Sequence, residues 1–304
     1  MRHLKIFVIS IGMLFTWLTQ PLFAQQKSDS THTQSYFKAS LDYLSNAVYN
    51  GRKDSTVLPY ITPTFGYYNK SGWYVSASAA YAAAANENRI DYFSLDAGYN
   101  FSINNFSGDV RANKTFYNAQ STAIKSDIKG GFGTDLSYDF NFLQLGASAD
   151  VIFDNKTDVA FNTNIAHAFT WGPDKQQWNL TPTLAANFSS LYFYEGYTNR
   201  RVGKAIKKNN PNVVSVKAAT IVPNPGVTLL DYEASMPLTY DAKKWGFAIT
   251  PTYAIPVNKI ETTTTATYTL KNRSTITTTN NTTPASEKNL SNSFYLECSV
   301  YLKF

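Results

Sequence analysis

From Tyr36 to Phe304 the chain alternates apolar and polar residues in segment after segment, and beyond residue 24 no stretch approaches the ~18 consecutive apolar residues that a membrane helix needs. The last segment shows the pattern most plainly. In SNSFYLECSVYLKF, Ser291 to Phe304, the residues Phe294, Leu296, Cys298, Val300, Leu302 and Phe304 share one face of an extended strand, and Ser293, Tyr295, Glu297, Ser299, Tyr301 and Lys303 share the other. Twelve such segments are readable, at about 36-49, 57-68, 72-84, 90-101, 106-118, 124-138, 143-153, 157-171, 177-190, 227-240, 244-257 and 290-304. Twelve is even, so a ring of antiparallel neighbours can close by pairing the last strand with the first.

The connections between segments fall into two kinds. Every second one is short: 69-71, 102-105, 139-142, 172-176 and 241-243. Each is bracketed by aromatic residues, namely Tyr68 and Trp73, Phe101 and Phe106, Tyr138 and Phe142, Trp171 and Trp178, and Tyr240 and Trp245. Rings gathered at one level suit a membrane-water boundary. The other connections include the two long ones, 191-226 and 258-289. Short turns at one end and long loops at the other is the asymmetry of a transmembrane barrel.

Composition narrows the alternatives. Charged residues make up 16% of the chain, against 21 Tyr, 20 Phe and 5 Trp, and one Cys excludes an internal disulfide. The formal charge is +6, of which Arg2 and Lys5 supply two, and five of the other basic residues, Arg200, Arg201, Lys204, Lys207 and Lys208, gather in one loop rather than among aromatics. That pattern points away from nucleic acid. Residues 1-24 combine Arg2 and Lys5, an apolar run from Ile6 to Leu18, and Ala24 at the expected cut, which is a secretory signal peptide. A polar tail, 25-35, follows, and then the barrel, 36-304. The expected fold class is all-β: a transmembrane antiparallel up-and-down barrel of about 12 strands.

The final strand resembles the terminal strand of bacterial outer-membrane β-barrels, whose C-terminal aromatic belongs to the signal read by the outer-membrane assembly machinery. That resemblance assigns the signal to Tyr301, Leu302 and Phe304, with Ser299 standing where the usual form has glycine. The run LLDYEASMPLTYDAKKWGFAITPTYAIPVN, Leu229 to Asn258, is similar to the penultimate hairpin of uncharacterised barrels common in Bacteroidota, and Ser71 to Tyr81 is similar more loosely. The resemblance implies residence in the cell outer membrane, contact with its lipids and with the assembly machinery, and a porin-like architecture. It carries over no catalytic residues.

Strand parity then sorts the ionisable groups. In the seventh segment Leu145, Ala147, Ala149, Val151 and Phe153 face lipid, while Gln144, Gly146, Ser148 and Asp150 face the lumen. The same parity turns Lys38, Asp42, Asp96, Asp109, Arg111, Lys125, Asp127, Lys129, Asp135, Asp150, Asp231, Glu233, Glu297 and Lys303 inward, nine acids against five bases. Strands ~4.8 Å apart tilted by ~40° enclose a barrel of ~24 Å, leaving a passage of ~10 Å inside the side chains.

Chemistry of other kinds finds few residues. His32 lies in the tail, and His167 shares the lipid-facing parity of Phe161, Ile165 and Phe169 near the short-turn end, which is an interfacial position rather than that of a base beside a serine. No cofactor, metal site or catalytic residue is expected. Three Thr-Pro-Thr cores, at Pro63, Pro182 and Pro251, sit inside segments and forfeit ladder hydrogen bonds, so each is expected at a bulge or bend. Gly130-Gly131-Phe132-Gly133 is expected to relieve crowding within its strand. Loop 191-226 holds Arg200, Arg201, Lys204, Lys207 and Lys208, suited to solvent, to outer-leaflet phosphates or to the acidic lumen. Loop 258-289 reads as strand extended above the membrane, open to a partner by strand addition. The expectation is a monomeric barrel, not an enzyme, forming a narrow passive channel for small polar solutes, with Asp96, Asp109, Asp127, Asp150, Glu233 and Glu297 as its lining carboxylates and Arg111 as their counter-charge. The alternative is a closed barrel that mounts its loops. A lipid-active enzyme is the third reading.

Overall fold

A computed structural model describes residues 34-53, 57-84, 87-121, 123, 125-154, 156-282, 287 and 290-304. The signal-peptide segment and most of the polar tail, with His32, lie outside the described residues. Twelve wall strands follow in order: β1 Tyr36–Leu44, β2 Tyr60–Tyr68, β3 Trp73–Ala84, β4 Glu87–Ile103, β5 Phe106–Tyr117, β6 Gly130–Asp139, β7 Gln144–Phe153, β8 Thr157–Ala166 with Phe169–Trp171, β9 Gln176–Leu180 with Thr183–Ser189, β10 Thr228–Ser235 with Leu238–Ala242, β11 Trp245–Pro256 and β12 Ser293–Lys303. Each pairs antiparallel with the next, and the ring closes where β12 lies along β1, from Lys38 opposite Lys303 to Leu44 opposite Glu297. Phe37 and Phe304 exchange backbone bonds of 2.8 and 3.0 Å at the seam, and their rings stack at 6.5 Å.

The period of two decides what each face meets. Outward residues such as Phe65, Val75, Leu95, Leu184 and Leu302 stay exposed although large and apolar, which only a lipid surroundings makes favourable. The short-turn end carries the expected girdle: Trp171 stacks on Trp178, Tyr240 tilts against Trp245 at 5.2 Å, and Phe101 meets Phe106 at 5.9 Å. A second belt lies toward the loops, with Tyr43, Tyr81, Phe93, Phe116, Phe153, Tyr253 and Phe294 outward. Trp73 to Tyr81 and Trp245 to Tyr253 each span about eight residues, ~26 Å of strand and ~20 Å of bilayer after tilt. Among the described residues no helix is long and apolar enough to cross a membrane.

The prolines disturb the wall together. Pro182 interrupts β9, and Pro237 interrupts β10, leaving single backbone bonds from Thr181 to the Pro237 carbonyl at 2.9 Å and from Met236 to the Pro251 carbonyl at 3.1 Å. The break in β8 at His167 and Ala168 lies beside them, so three neighbouring strands are interrupted along one line, while β11 keeps its pairing with β12 through Pro251. Pro63 acts alone: β2 keeps its pairing with β1 and skips pairing with β3 at Thr62 and Pro63.

Above the wall the long loops are structured. Loop 191-226 contains a helix, α1, Phe193–Asn209, and a strand, Val213–Ile221, which joins Thr262–Leu270 and Thr275–Thr282 in a separate three-stranded sheet. The expected strand extension in loop 258-289 is this hairpin. The helix was not legible as such. Glu195 in its first turn and Lys207 and Lys208 in its last match its dipole. Its own Tyr192 supplies no cap; Asp158 of β8 does so instead, accepting the Tyr192 and Phe193 N–H groups at 2.9 and 2.6 Å.

Candidate functional site

The lumen gathers ionisable side chains in layers. At the short-turn end Lys303 lies 3.6 Å from Asp241, whose carboxylate also accepts the Tyr301 hydroxyl. The ammonium of Lys38 sits 4.7 Å over the Tyr301 ring, and that of Lys303 lies 5.1 Å from the same ring. Tyr36, Tyr68 and Tyr74 stack along the adjoining wall at 5.1 and 5.7 Å.

Midway up, Arg111 of β5 is nearly buried and holds three carboxylates: Asp150 at 2.8 Å, Asp109 at 3.5 Å, and Asp135. Register explains how one guanidinium reaches across β6. Arg111 lies opposite Gly133, and Gly133 lies opposite Asp150, so the bare backbone between them leaves a window that a methyl group would fill by colliding with the Asp150 carboxylate. The glycine run is therefore a site feature, not only relief from crowding. The device recurs. Tyr74 reaches over Gly98 toward Asp109 at 3.4 Å, and Tyr301 reaches over Gly246 to Asp241. All three bridges run around the wall rather than across the bore. On the opposite wall Glu233 accepts the Tyr295 hydroxyl at 3.1 Å, and Asp42 accepts Ser40 at 3.1 Å. Asp96, on β4, accepts Ser94 at 2.8 Å.

The outer third is filled. Leu44, Tyr60, Ala80, Ala82, Tyr92, Ala254 and Tyr295 of the wall pack with Val48, Leu58 and Ala123 of two incoming loops, 45-59 and 118-129. Asp91 ties them: it accepts Tyr60 at 2.5 Å and Ser121 at 2.8 Å, and pairs with Arg89 at 2.9 Å. Above this plug Arg52 and Glu287 are fully buried and joined at 2.9 Å. The Arg52 guanidinium also donates to the carbonyls of Asn50, Leu230, Val257 and Asn258, while Glu287 accepts Tyr194 and the Ile260 N–H. Three loops are knotted at one buried charge pair.

Two corrections follow for the sixth segment. Strand β6 begins at Gly130 rather than near residue 124, because residues 125-127 form a turn closed by Ser126 onto the Ala123 carbonyl. Asp127 is therefore not a strand residue lining the bore; it lies at the mouth, 3.3 Å from Arg200 of α1. Lys129 likewise precedes the strand. Lys125 does turn inward, but from the loop: it is 3% exposed, with its ammonium 4.0 Å over the Tyr49 ring. Burial lowers its proton affinity, opposed by the charges of Asp150, Glu233 and Glu297.

The other inward assignments, Lys38, Asp42, Asp96, Asp109, Arg111, Asp135, Asp150, Asp231, Glu233, Glu297 and Lys303, fall on the lumenal face. Tyr301 is lumenal, while Leu302 and Phe304 face outward. His167 lies at the girdle, Nδ1 2.7 Å from the Phe142 carbonyl, its ring edge-on to Phe169. The basic loop meets neither lipid nor bore as a run: Arg200 pairs with Asp127, and Lys204 bonds the Gln120 carbonyl at 3.1 Å. Sequence reading missed Asp91, Asp158 and Asp241 as inward carboxylates. Asp158 shares parity with Asn162 and could have been found, whereas Asp91 is turned in by a register shift at Ala80 and Tyr81. Among the described residues no group of three or more metal-type ligands converges.

Closed ring, apolar exterior, aromatic belts and polar bore together define a bacterial outer-membrane type of β-barrel. No protein-family model matches the chain, and no curated protein matches it. Among solved structures it is similar to the KdgM porin, at 9% identity over 88% of this chain and 99% of that one with a TM-score of 0.42. It is similar also to the NanC porin, at 10% identity over 88% and 100% with a TM-score of 0.43. OmpF of Salmonella typhi, in a complex with daunomycin, is further off: 8% identity, 89% and 97% covered, TM-score 0.30.

Proposed function

We propose that the protein is a narrow passive channel of the cell outer membrane for small polar solutes, with a preference for cations, closed at its outer mouth by its own loops in the conformation described. One observation carries this reading: the charge bridges of the bore, Arg111 to Asp109, Asp135 and Asp150, join neighbouring strands of one wall rather than tying facing walls together. A bore made only for stability would be served as well by packed apolar residues. Acids outnumber bases along it, which favours cations. The resemblance of Leu229 to Asn258 to Bacteroidota barrels, assembly through Tyr301, Leu302 and Phe304, and a monomeric state belong to the same reading. Lining roles fall to Asp96, Asp109, Arg111, Asp150, Glu233 and Glu297.

Planar-bilayer recording of the purified protein tests it. A small, cation-preferring conductance is expected, larger once the loop knot is loosened by Arg52→Ala. Silence of both proteins under varied salt and voltage overturns the channel. The apolar cluster that fills the mouth favours a second reading, a closed barrel that serves as a mount for its cap. That reading requires silence from both.

A further inference from the structure

Helix α1 covers only part of the three-stranded sheet it rests on. Its large buried side chains, Phe193, Tyr194 and Tyr197, are confined to the first two turns. Farther along, Val202, Ala205, Ile206 and Asn209 follow one another at the three- and four-residue spacing of a single helix face. That face looks across a gap at Thr264, Ala266 and Tyr268 of one strand and at Thr278 and Asn280 of the next. Alternation turns these five to the same side of the sheet, with Ala266 opposite Thr278 and Thr264 opposite Asn280. Alanine on the helix, with alanine and threonine on the sheet, is too small to close the gap. A cleft of about 340 Å³ is left, at the lower end of the range for small-molecule sites. Thr264 and Ala266 are buried at its floor, and Ala205, Asn209 and Asn280 are exposed at its rim.

The lining is polar without charge. Arg200, Arg201, Lys204, Lys207 and Lys208 belong to the same helix, yet no acid, lysine, arginine or histidine lines the cleft among the described residues. The Thr264 hydroxyl is engaged with that of Thr220 at 2.8 Å, and Asn210 Oδ1 accepts the Asn212 N–H at 3.1 Å. The side chains of Asn209, Tyr268, Thr278 and Asn280 form no hydrogen bond within the described residues. Hydrogen-bonding groups thus stand on both walls, around aliphatic surface from Val202, Ile206 and Ala266 and beside one aromatic ring. A charged solute would find no counter-charge there, and an apolar one would strip water from four polar side chains without replacing it. A neutral sugar ring has the matching parts: C–H groups on its faces for the aromatic and aliphatic side chains, and hydroxyls on its edge that both donate and accept. We propose that the cleft between α1 and the three-stranded sheet binds a neutral pyranose, with Tyr268, Val202 and Ile206 against its faces and Asn209, Thr278 and Asn280 holding its hydroxyls. The site belongs to the cap and not to the bore, so it does not depend on the channel reading.

Saturation-transfer NMR on the folded barrel tests the site, in an amine-oxide detergent that brings no sugar of its own. The probes are the methyl pyranosides of glucose, galactose and mannose, with glucuronate and protonated glucosamine as charged counterparts. Transfer to at least one methyl glycoside and to neither charged sugar is expected. Tyr268→Ala should weaken that binding about three- to tenfold. Ala205→Trp fills the cleft from an exposed helix position and should abolish it, which keeps the test decisive should Tyr268→Ala not fold. Lys207→Ala, on the same helix but outside the cleft, should leave binding unchanged. Transfer to none of the methyl glycosides, equal transfer to the charged sugars, or binding undiminished by Ala205→Trp overturns the site. The methyl glycoside that binds is then compared with a disaccharide ending in the same sugar. Tighter binding of the disaccharide assigns the end of a glycan chain as the occupant, and equal binding assigns a free sugar. Binding to a barrel that is silent in bilayers leaves the site standing and sinks the channel, while current without binding does the reverse.

Discussion

Removing Arg52 should detach the cap and spare the wall. Arg52→Ala leaves the buried Glu287 carboxylate without its counter-charge, at a cost of ~3–5 kcal/mol. It also orphans four carbonyls, those of Asn50, Leu230, Val257 and Asn258, at ~0.5 kcal/mol or more each. The total of ~5–7 kcal/mol is comparable to the whole stability of many domains, yet of the groups affected only the Leu230 carbonyl belongs to a wall strand. Residues 191-226 and 257-282 should therefore lose hydrogen-exchange protection and become cleavable by a protease, while the barrel keeps its compact, heat-shifted band on a gel. Arg52→Met with Glu287→Met together should cost less than the sum of the single changes, because neither leaves an unpaired buried charge in the other's presence. Unchanged protection of the cap in Arg52→Ala, or collapse of the barrel with it, would refute the reasoning.

Other outcomes follow from the same geometry. Gly133→Ala should displace Asp150 from Arg111 and reproduce, in stability and ion selectivity, part of what Asp150→Asn does; a neutral Gly133→Ala would remove the window from consideration. Arg111→Gln should raise the cation-over-anion permeability ratio, read as a shifted reversal potential in a salt gradient, and cost ~3–5 kcal/mol by unpairing three carboxylates. Leu95→Arg, on the lipid face, should cost ~2–4 kcal/mol in refolding into bilayers, whereas a polar replacement of the lumenal Ser94 should cost much less. The ammonium of Lys125 lies 4.0 Å over the Tyr49 ring, and burial lowers its affinity for a proton from the ordinary 10.5, opposed by the charges of Asp150, Glu233 and Glu297. Between the lowered value and 10.5 the unfolded chain holds the extra proton, so the stability of wild type relative to Lys125→Met should rise with pH across that window. A flat or falling difference would contradict the burial of the ammonium.

What could be read from the sequence is what a two-residue period controls. Strand number, the inward face, the girdle beside the short turns and the closure of β12 on β1 all depend on alternation and on turn length, both local properties. Boundaries failed where a turn cuts into alternation, as at Lys125 to Asp127. The mouth was not legible because its contacts join distant parts of the chain: Arg52 meets Glu287 across 235 positions, and Asp158 caps a helix that begins 35 residues later. No local pattern marks Arg52 as buried, since a lone arginine in a polar loop is ordinarily solvated. Helix α1 was hidden by its composition, a mixture of tyrosines and basic residues whose buried side is confined to the first two turns.

The glycine windows have a consequence for how such a lumen can change. A charge in this bore is not an independent character: Arg111 and Asp150 are one unit with Gly133, as Tyr74 and Asp109 are with Gly98, and Tyr301 and Asp241 with Gly246. A lineage altering the charge of the lumen would meet its constraint not at the charged residues but at the empty position between them. Three-strand triplets, rather than single lining residues, are then the heritable letters in which the charge of this lumen is written.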